Sequence, residues 1–475
     1  MTILAQVFSQ PAEAVAAISG GQEITYRDFC SDIERGAAYL RERGLGSDST
    51  VGIFIGQFRG SNDYAGWIAH LAAIRIGATL TSVHDAHFLA SLLEISRLDA
   101  LIGELPAHAS ADGLNVVPFE LDSLPAGTQA ADEEAKAARL NLTSGTTGSP
   151  KIFRWDNAIF TARLDQVATL DLIDSSTVLD SYLPPRTTAG FRYPLATWRA
   201  GGTVLLSKGG EKTNADRTNL CVCSPFQLQR MIAVKVRWAN RAGRTIIALG
   251  GRVPPGLRDW ALATLAGRIL LSYGSTETGN VAYGDAEMTD RHPGAVGWVR
   301  DGVEVEIVDS DGISVEPGKY GRVRLRTSVM VLPEGSGLES DRWFEPGDLG
   351  VLYEDGLLAI AGRASDVLNV GGMKMSAVDA ESRLAAIDGI QDAGIVVVPT
   401  RDGELVVIAI AAREGATAAE FLPAAKTVLP RGTPLRLDLV GSIPRNAMGK
   451  IDRQRLIHQL RQLYLAAVQA QREHA

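Results

Sequence analysis

The stretch LTSGTTGSPK, residues 142–151, sets hydroxyls at Thr143, Ser144, Thr146, Thr147 and Ser149 around Gly145 and Gly148, and ends in Pro150 and Lys151. Glycines let backbone N–H groups turn inward, and the lysine supplies a point charge, so such a loop can wrap a polyphosphate. The template G-x-x-x-x-G-K-[ST] fails here. Counted from Gly145, its second glycine position holds Pro150, and Ile152 follows the lysine where a magnesium-binding hydroxyl belongs. Pro150 disfavours helical angles at Ser149, so the loop is expected not to open straight into a helix. The competing reading is a Ser/Thr/Gly surface linker.

The chain has 475 residues, 45% hydrophobic and 21% charged, an ordinary soluble globular profile long enough for two or more domains. Its formal charge of −8 (47 basic against 55 acidic residues), with no long basic run, argues against nucleic acid as the main partner. Cys30, Cys221 and Cys223 are the only cysteines and have no companion cluster, which reads as buried thiols in a reducing compartment. The first residues lack a basic start and meet Pro11 early, unlike a secretory signal. Apolar runs such as Val406–Ala412 are too short for a bilayer. A cytoplasmic protein without membrane partners is expected.

Helical spacing of Phe29, Ile33, Ala37 and Leu40 stops at Gly44; TVGIFIG follows as a buried strand, DYAGWIAHLAAIRIG as a helix closed by Gly77, and ATLTSV as the next strand. Such alternation predicts a parallel sheet covered on both faces, and it resumes after the hydroxyl loop as far as Ser272. Beyond Gly294, VEVEIVD, GRVRLRT and GVLYEDGLLAIAG predict an antiparallel sheet or small barrel. From about Arg363 a compact βα unit ends in a helix with Leu456, Leu460, Leu463 and Val468 on its apolar face, read as core covering.

Three further segments can carry chemistry. In GDLGVLYEDGLLAIAGR, Asp348 and Arg363 lie at nearly equal distances, six and seven residues, from a turn at Glu354–Gly356, so pairing should bring them together. They could form a plain surface ion pair, or hold a sugar diol and a phosphate. In YGSTETG, Glu277 follows a buried strand, where an acidic residue could hold Mg²⁺ on a nucleotide or cap a helix. Lys450 follows a glycine in PRNAMGKIDRQRL and by itself reads as a solvated charge. His84 and His87 form the one close histidine pair and lack a third ligand at metal spacing.

In this order the segments resemble the adenylate-forming superfamily, which includes acyl- and aryl-CoA ligases, stand-alone adenylation domains and luciferases. LTSGTTGSPK is similar to its phosphate loop and YGSTETG to its Tyr-Gly-x-Thr-Glu motif. GAVGWVRDGVEVEIVD and PGDLG are similar to the next blocks, with Pro346 in place of a usual threonine. GRASDVLNVGGMKMSAVDAE resembles the block at the domain junction, NAMGKIDRQRL the C-terminal lysine motif, and EITYRDF and AAIRIGATLTSV early family segments.

The resemblance implies a large adenylation domain of doubly wound α/β subdomains plus a small β-barrel-like one over residues 1–362. A hinge at 363–366 and a mobile α+β lid at 367–475 complete the implied layout. It implies that a carboxylate attacks the α-phosphate of ATP, giving an acyl-adenylate and pyrophosphate, and that a thiol then displaces AMP. Thr143, Ser144, Gly145, Thr146, Thr147, Gly148 and Lys151 would cradle the β- and γ-phosphates. Tyr273 would lie against adenine, Thr276 would meet the α-phosphate, and Glu277 would hold Mg²⁺. Asp348 would bind the ribose with Arg363 close by, and Lys450 would bridge the carboxylate and the α-phosphate. Rotation of the lid would withdraw Lys450 and present Gly371 and Gly372 to a pantetheine arm.

Two departures stand out. Ser365 occupies a hinge position usually acidic or basic, and YLPPRTTAGF places Arg186 and Thr187 where relatives carry an aromatic residue and a histidine. Arg186 or Arg192 could meet a second acidic group on the substrate, or be structural. The remaining pocket candidates are Phe191, Gly250, Gly251 and Gly274. The expected activity is ligation of a small carboxylic acid to CoA. The alternatives are loading of a carrier protein's phosphopantetheine, transfer to an amine, and a nucleotide-binding protein without chemistry.

Overall fold

A computed structural model describes residues 2–55, 63–110, 112–126, 133–144, 150–168, 171–206, 215–233, 238, 240–333, 343–363, 367–370, 373–400, 403–429, 433–446 and 449–473. The chain divides into two compact units. One comprises Met1–Arg291, Val296–Glu304 and Arg326–Trp343; the other comprises His292–Ala295, Val305–Leu325 and Phe344–Ala475.

The first unit holds two largely parallel layers. In the six-stranded sheet the order is Val116–Val117, Ala100–Gly103, Thr50–Phe54, Thr79–Ser82, Ala138–Ser144 and Pro150–Trp155, with only the last pair antiparallel. The expected strand–helix–strand alternation is present. Helix Tyr26–Glu42 is capped by the Thr25 side chain, buries Phe29, Ile33, Ala37 and Leu40, and ends before Gly44, whose φ of 76° few other residues tolerate. Helix Tyr64–Arg75 is buried on nearly every face, because it lies between layers. In the second sheet, Thr203–Leu206, Val178–Ser181, Leu220–Cys223, Thr245–Leu249 and Arg268–Ser275 run parallel, flanked by antiparallel Gly279–Asp285.

His70 ties the first helical layer to a strand. Its Nδ1–H donates to Gly66 O (2.6 Å), so its Nε2 accepts from Ser82 Oγ (2.8 Å). Burial, with Arg139 nearby, lowers its pKa from 6.5 to about 3. The unfolded chain therefore binds this proton below pH 6.5 while the folded one does not until about pH 3. Stability contributed by the neutral ring is full above pH 6.5 and is lost as pH falls through that window, at about 1.4 kcal/mol per pH unit. Urea unfolding at pH 7 and 5.5 checks this: His70→Gln should flatten the dependence, and an unchanged slope would refute it.

In the second unit, Asp348–Leu352 and Leu357–Arg363 form the expected hairpin. The strands from this region pair antiparallel, as expected: Tyr320–Thr327 with Asp348–Leu352, and that strand with Leu357–Arg363. Ile390–Thr400, Gly403–Ala412 and Leu435–Leu439 make a three-stranded sheet. Ile395 and Ile408 pack on one face with Phe421, whereas Val396 and Val407 pack on the other with Leu456 and Leu460. The final helix, Arg453–Glu473, thus covers a core, but its apolar stripe outlasts the sheet: Leu463 is 41% exposed. The expected hinge residues Ala364–Asp366 lie outside the described residues.

Candidate active site

The strands on either side of the hydroxyl motif pair antiparallel. Ala138–Ser144 pairs with Pro150–Trp155, Thr143 opposite Lys151 and Ser144 opposite Pro150. As Pro150 implies, the chain leaves the loop as a strand. Lys151 is exposed. Gly145, Thr146, Thr147 and Gly148 fall outside the described residues, as do Gly371 and Gly372.

Tyr273, Gly274, Thr276 and Glu277 lie on the hairpin joining Arg268–Ser275 to Gly279–Asp285, so Glu277 sits in a turn at a strand end, not at a helix cap. Ser275 Oγ accepts from Glu277 N (3.2 Å) and Thr278 N (3.3 Å), closing the turn. Gly274 is required by contact, since a Cβ there would stand 1.9 Å from Gly279 O.

The turn is held from below by Arg163, a residue the sequence reading passed over. Helix Asn157–Ala168 follows directly from the loop strand. Its fully buried Arg163 donates from Nη1 to Thr276 O (2.6 Å), from Nη2 to Glu277 O (2.7 Å), and from Nε and Nη2 to Val329 O (3.1 and 2.8 Å). Its guanidinium also stacks over Trp155, 4.3 Å from the ring centre. Burial and neighbouring Arg192 push its pKa well below the ordinary arginine value, with Glu277 opposing. A signal existed: Phe160, Leu164 and Val167 define the apolar face, and Arg163 lies on it. This helix ties the strand that follows the hydroxyl motif to the Thr276–Glu277 turn.

The residues proposed for the acid pocket divide. Thr187 is the N-cap of helix Thr188–Arg199, accepting from Gly190 N (3.0 Å) and donating to Pro184 O (2.9 Å). Phe191 is fully buried among Trp67, His70 and Phe160, with Arg139 stacked 3.8 Å from its ring, and serves packing. Arg186 is half-buried with Asp85 as its nearby charge. Gly250 (φ 86°) and Gly251 continue from the C-terminal end of strand Thr245–Leu249.

In the second unit Asp348 is paired with Arg363 across the hairpin. The reason differs from simple symmetry. Leu352 opposes Leu358, a register that alone would set Asp348 opposite Gly362; a β-bulge beyond Gly350–Ile360 inserts one residue and restores Arg363. Asp348 is 7% exposed. Lys450 follows Gly449 (φ 75°) on a tight turn: Asn446 N donates to Lys450 O (2.8 Å) and Lys450 N to Asn446 Oδ1 (3.0 Å). Arg445 braces it, pairing with Asp392 (2.6 Å) and donating to Gly449 O (2.6 Å).

Among the described residues no group of three or more His, Cys, Asp or Glu gathers as a metal site, and His84 instead stacks on Phe88 at 4.3 Å. A single carboxylate, Glu277, suits Mg²⁺, which commonly takes one or two carboxylates and completes its shell with substrate phosphates and water. No described helix is long and apolar enough to cross a membrane.

The family model for the AMP-binding enzyme matches residues 4–332. The chain belongs to this family, the adenylate-forming enzymes. It is 35% identical to the human mitochondrial malonate–CoA ligase ACSF3 over 236 residues, covering 43% of this chain and 40% of that protein. It is 25% identical to FadD10 of Mycobacterium tuberculosis, a medium/long-chain-fatty-acid–[acyl-carrier-protein] ligase, over 95% of this chain and 94% of that one. Its fold matches the o-succinylbenzoate coenzyme A synthetase MenE of Bacillus subtilis solved with ATP and magnesium, at TM-score 0.79 and 20% identity, over 95% and 98% of the two chains.

Proposed function

We propose that this protein is an AMP-forming acid–thiol ligase that joins a small carboxylic acid to CoA. A carboxylate oxygen attacks the α-phosphorus of ATP while the bond to pyrophosphate breaks; the thiolate of CoA then attacks the acyl carbon and AMP leaves. Charge in the first step spreads over phosphate oxygens, so the protein's contribution is positioning and electrostatic. Thr143–Gly148 and Lys151 bind the outer phosphates, Tyr273 adenine, Thr276 the α-phosphate, Glu277 the magnesium ion, and Asp348 with Arg363 the ribose side. Bound Mg²⁺ supplies positive charge to the phosphates. Lys450 neutralises two anions that otherwise repel, and a hinge at 363–366 lets the C-terminal region replace Lys450 with Gly371 and Gly372 for the thiol step.

The observation that carries this reading is the Arg163 clamp, which fixes the Thr276 and Glu277 backbone from the helix that follows the phosphate hairpin. ATP–pyrophosphate exchange over aryl, short-chain, medium-chain and amino acids tests it. At least one small acid should give exchange that requires Mg²⁺, with AMP and a CoA thioester as products; silence across the panel would refute it. A second reading, loading of a carrier protein, is favoured by the nearly full-length match to FadD10. Comparing CoA with a phosphopantetheinylated carrier protein as acceptor separates the two.

A further inference from the structure

Next to the nucleotide turn, the first unit buries a polar cluster that the preceding roles do not use. Helix Thr188–Arg199 contributes Arg192 and Tyr193, 5% and 0% exposed, and the flanking strands contribute Ser272 and Asn280. Ser272 Oγ donates to Asn280 Oδ1 (2.6 Å), which leaves the Asn280 amide nitrogen as the outward donor. Asn280, Ser272, Arg192 and Arg300 surround the Tyr193 hydroxyl. Arg300 brings a second positive charge near Arg192 and stacks 5.4 Å from the Tyr283 ring.

What distinguishes the cluster is its surplus of donors. Arg192 Nε is buried without a hydrogen-bond partner among the described residues, and Tyr193 Oη and Asn280 Nδ2 lie close enough to meet at most each other and Ser272, which still leaves the cluster with more donors than acceptors. Arg192 makes one long bond, from Nη1 to Arg163 O (3.4 Å), and no described carboxylate pairs with it. Arg163 beside it is the contrast, engaged with three carbonyls. Buried polar groups are otherwise almost always satisfied, and a buried charge needs a counter-charge. The missing complement is an anion with several acceptor lone pairs.

We propose that this cluster is the specificity site of the acid pocket and binds a second carboxylate at the far end of the substrate. Arg192 neutralises that carboxylate, and Tyr193 Oη–H and Asn280 Nδ2–H donate to its oxygens. The proposal rests on the acid-activating reading above. Asn280 stands opposite Gly274, so the cluster borders the strand end that carries this pocket candidate. A monocarboxylic acid would seal the donors away from water with nothing to accept from them. Sites built to hydrogen-bond a substrate group reject analogues lacking it by about 10²-fold or more.

The test uses the full-length protein with malonate, succinate and glutarate against propionate, butyrate and pentanoate, and 4-hydroxybutyrate as a neutral polar probe. Binding is measured by calorimetry without nucleotide, and kcat/KM by pyrophosphate exchange. Diacids should bind about 10²-fold more tightly than their monoacid partners. Arg192→Gln should remove about 10²-fold for diacids and leave monoacids within about threefold. Tyr193→Phe, which retains the ring, should cost diacids about tenfold in the same selective way. Equal or tighter binding of monoacids, preference for the hydroxy acid, or binding of neither series would overturn the proposal. So would equal losses for both series in variants whose unfolding midpoint is unchanged. Diacid binding without exchange would instead overturn the adenylation reading and leave the binding site standing.

Discussion

Lys450→Ala is expected to lower acyl-adenylate formation by about 10²–10³-fold while thioester formation from supplied acyl-adenylate stays within about threefold of the parent. The size of the effect follows from the role proposed for the ammonium group. Before the first bond forms, a carboxylate and the α-phosphate must approach, and only a fixed positive charge between them offsets their repulsion. A lysine suits this because its charge is compact and its stem flexible. The second half-reaction starts from an adenylate in which that repulsion is gone. The variant is also expected to fold, because the turn's bonds to Asn446 come from the Lys450 main chain and the Arg445–Asp392 brace is independent of its side chain. Exchange kinetics and a thiol-transfer assay on synthetic adenylate read the two halves separately. Equal loss in both would remove Lys450 from the bridging role.

Arg163→Met should damage both stability and catalysis. Methionine fills much of the volume and can rest on Trp155, but it leaves Thr276 O and Val329 O without their buried donor, and Glu277 O with only Val331 N. Bonds from a charged donor contribute about 1.5–3 kcal/mol each and are not additive, so a loss of about 3 kcal/mol is expected by urea unfolding. The catalytic loss should exceed what that instability explains. Thr276 and Glu277 would lose their fixed backbone, raising KM for ATP and the Mg²⁺ concentration needed for half-maximal exchange by about tenfold or more. A variant with wild-type exchange and an unchanged urea midpoint would show that the clamp carries neither energy nor position.

Much of this architecture was legible residue by residue. Phe29, Ile33, Ala37 and Leu40 announce a one-sided helix, and the glycines at 44 and 77 mark helix ends through positive φ values that favour glycine. Pro150 forecasts the strand exit from the hydroxyl loop, and the observed hairpin follows it. These readings succeed because period, capping and backbone sterics act over a few residues. The Asp348–Arg363 pairing was also foreseen, although symmetry about the turn was the wrong reason; a bulge supplies the register. Thr187 and Phe191, named as pocket candidates, also have structural roles that no local pattern announced, one as a helix cap and the other in the core.

By itself, then, the sequence determined the alternation of strands and helices and the family, because local periodicity and short motifs encode these directly. Only the tertiary structure decided that Arg163 reaches more than a hundred residues along the chain to grip Thr276 and Glu277, and that Arg192, Tyr193 and Asn280 are enclosed together with donors to spare. Whether a buried arginine braces a turn or awaits an anion depends on which acceptors the fold brings within about 3 Å of it, and those acceptors come from distant segments that no local pattern links.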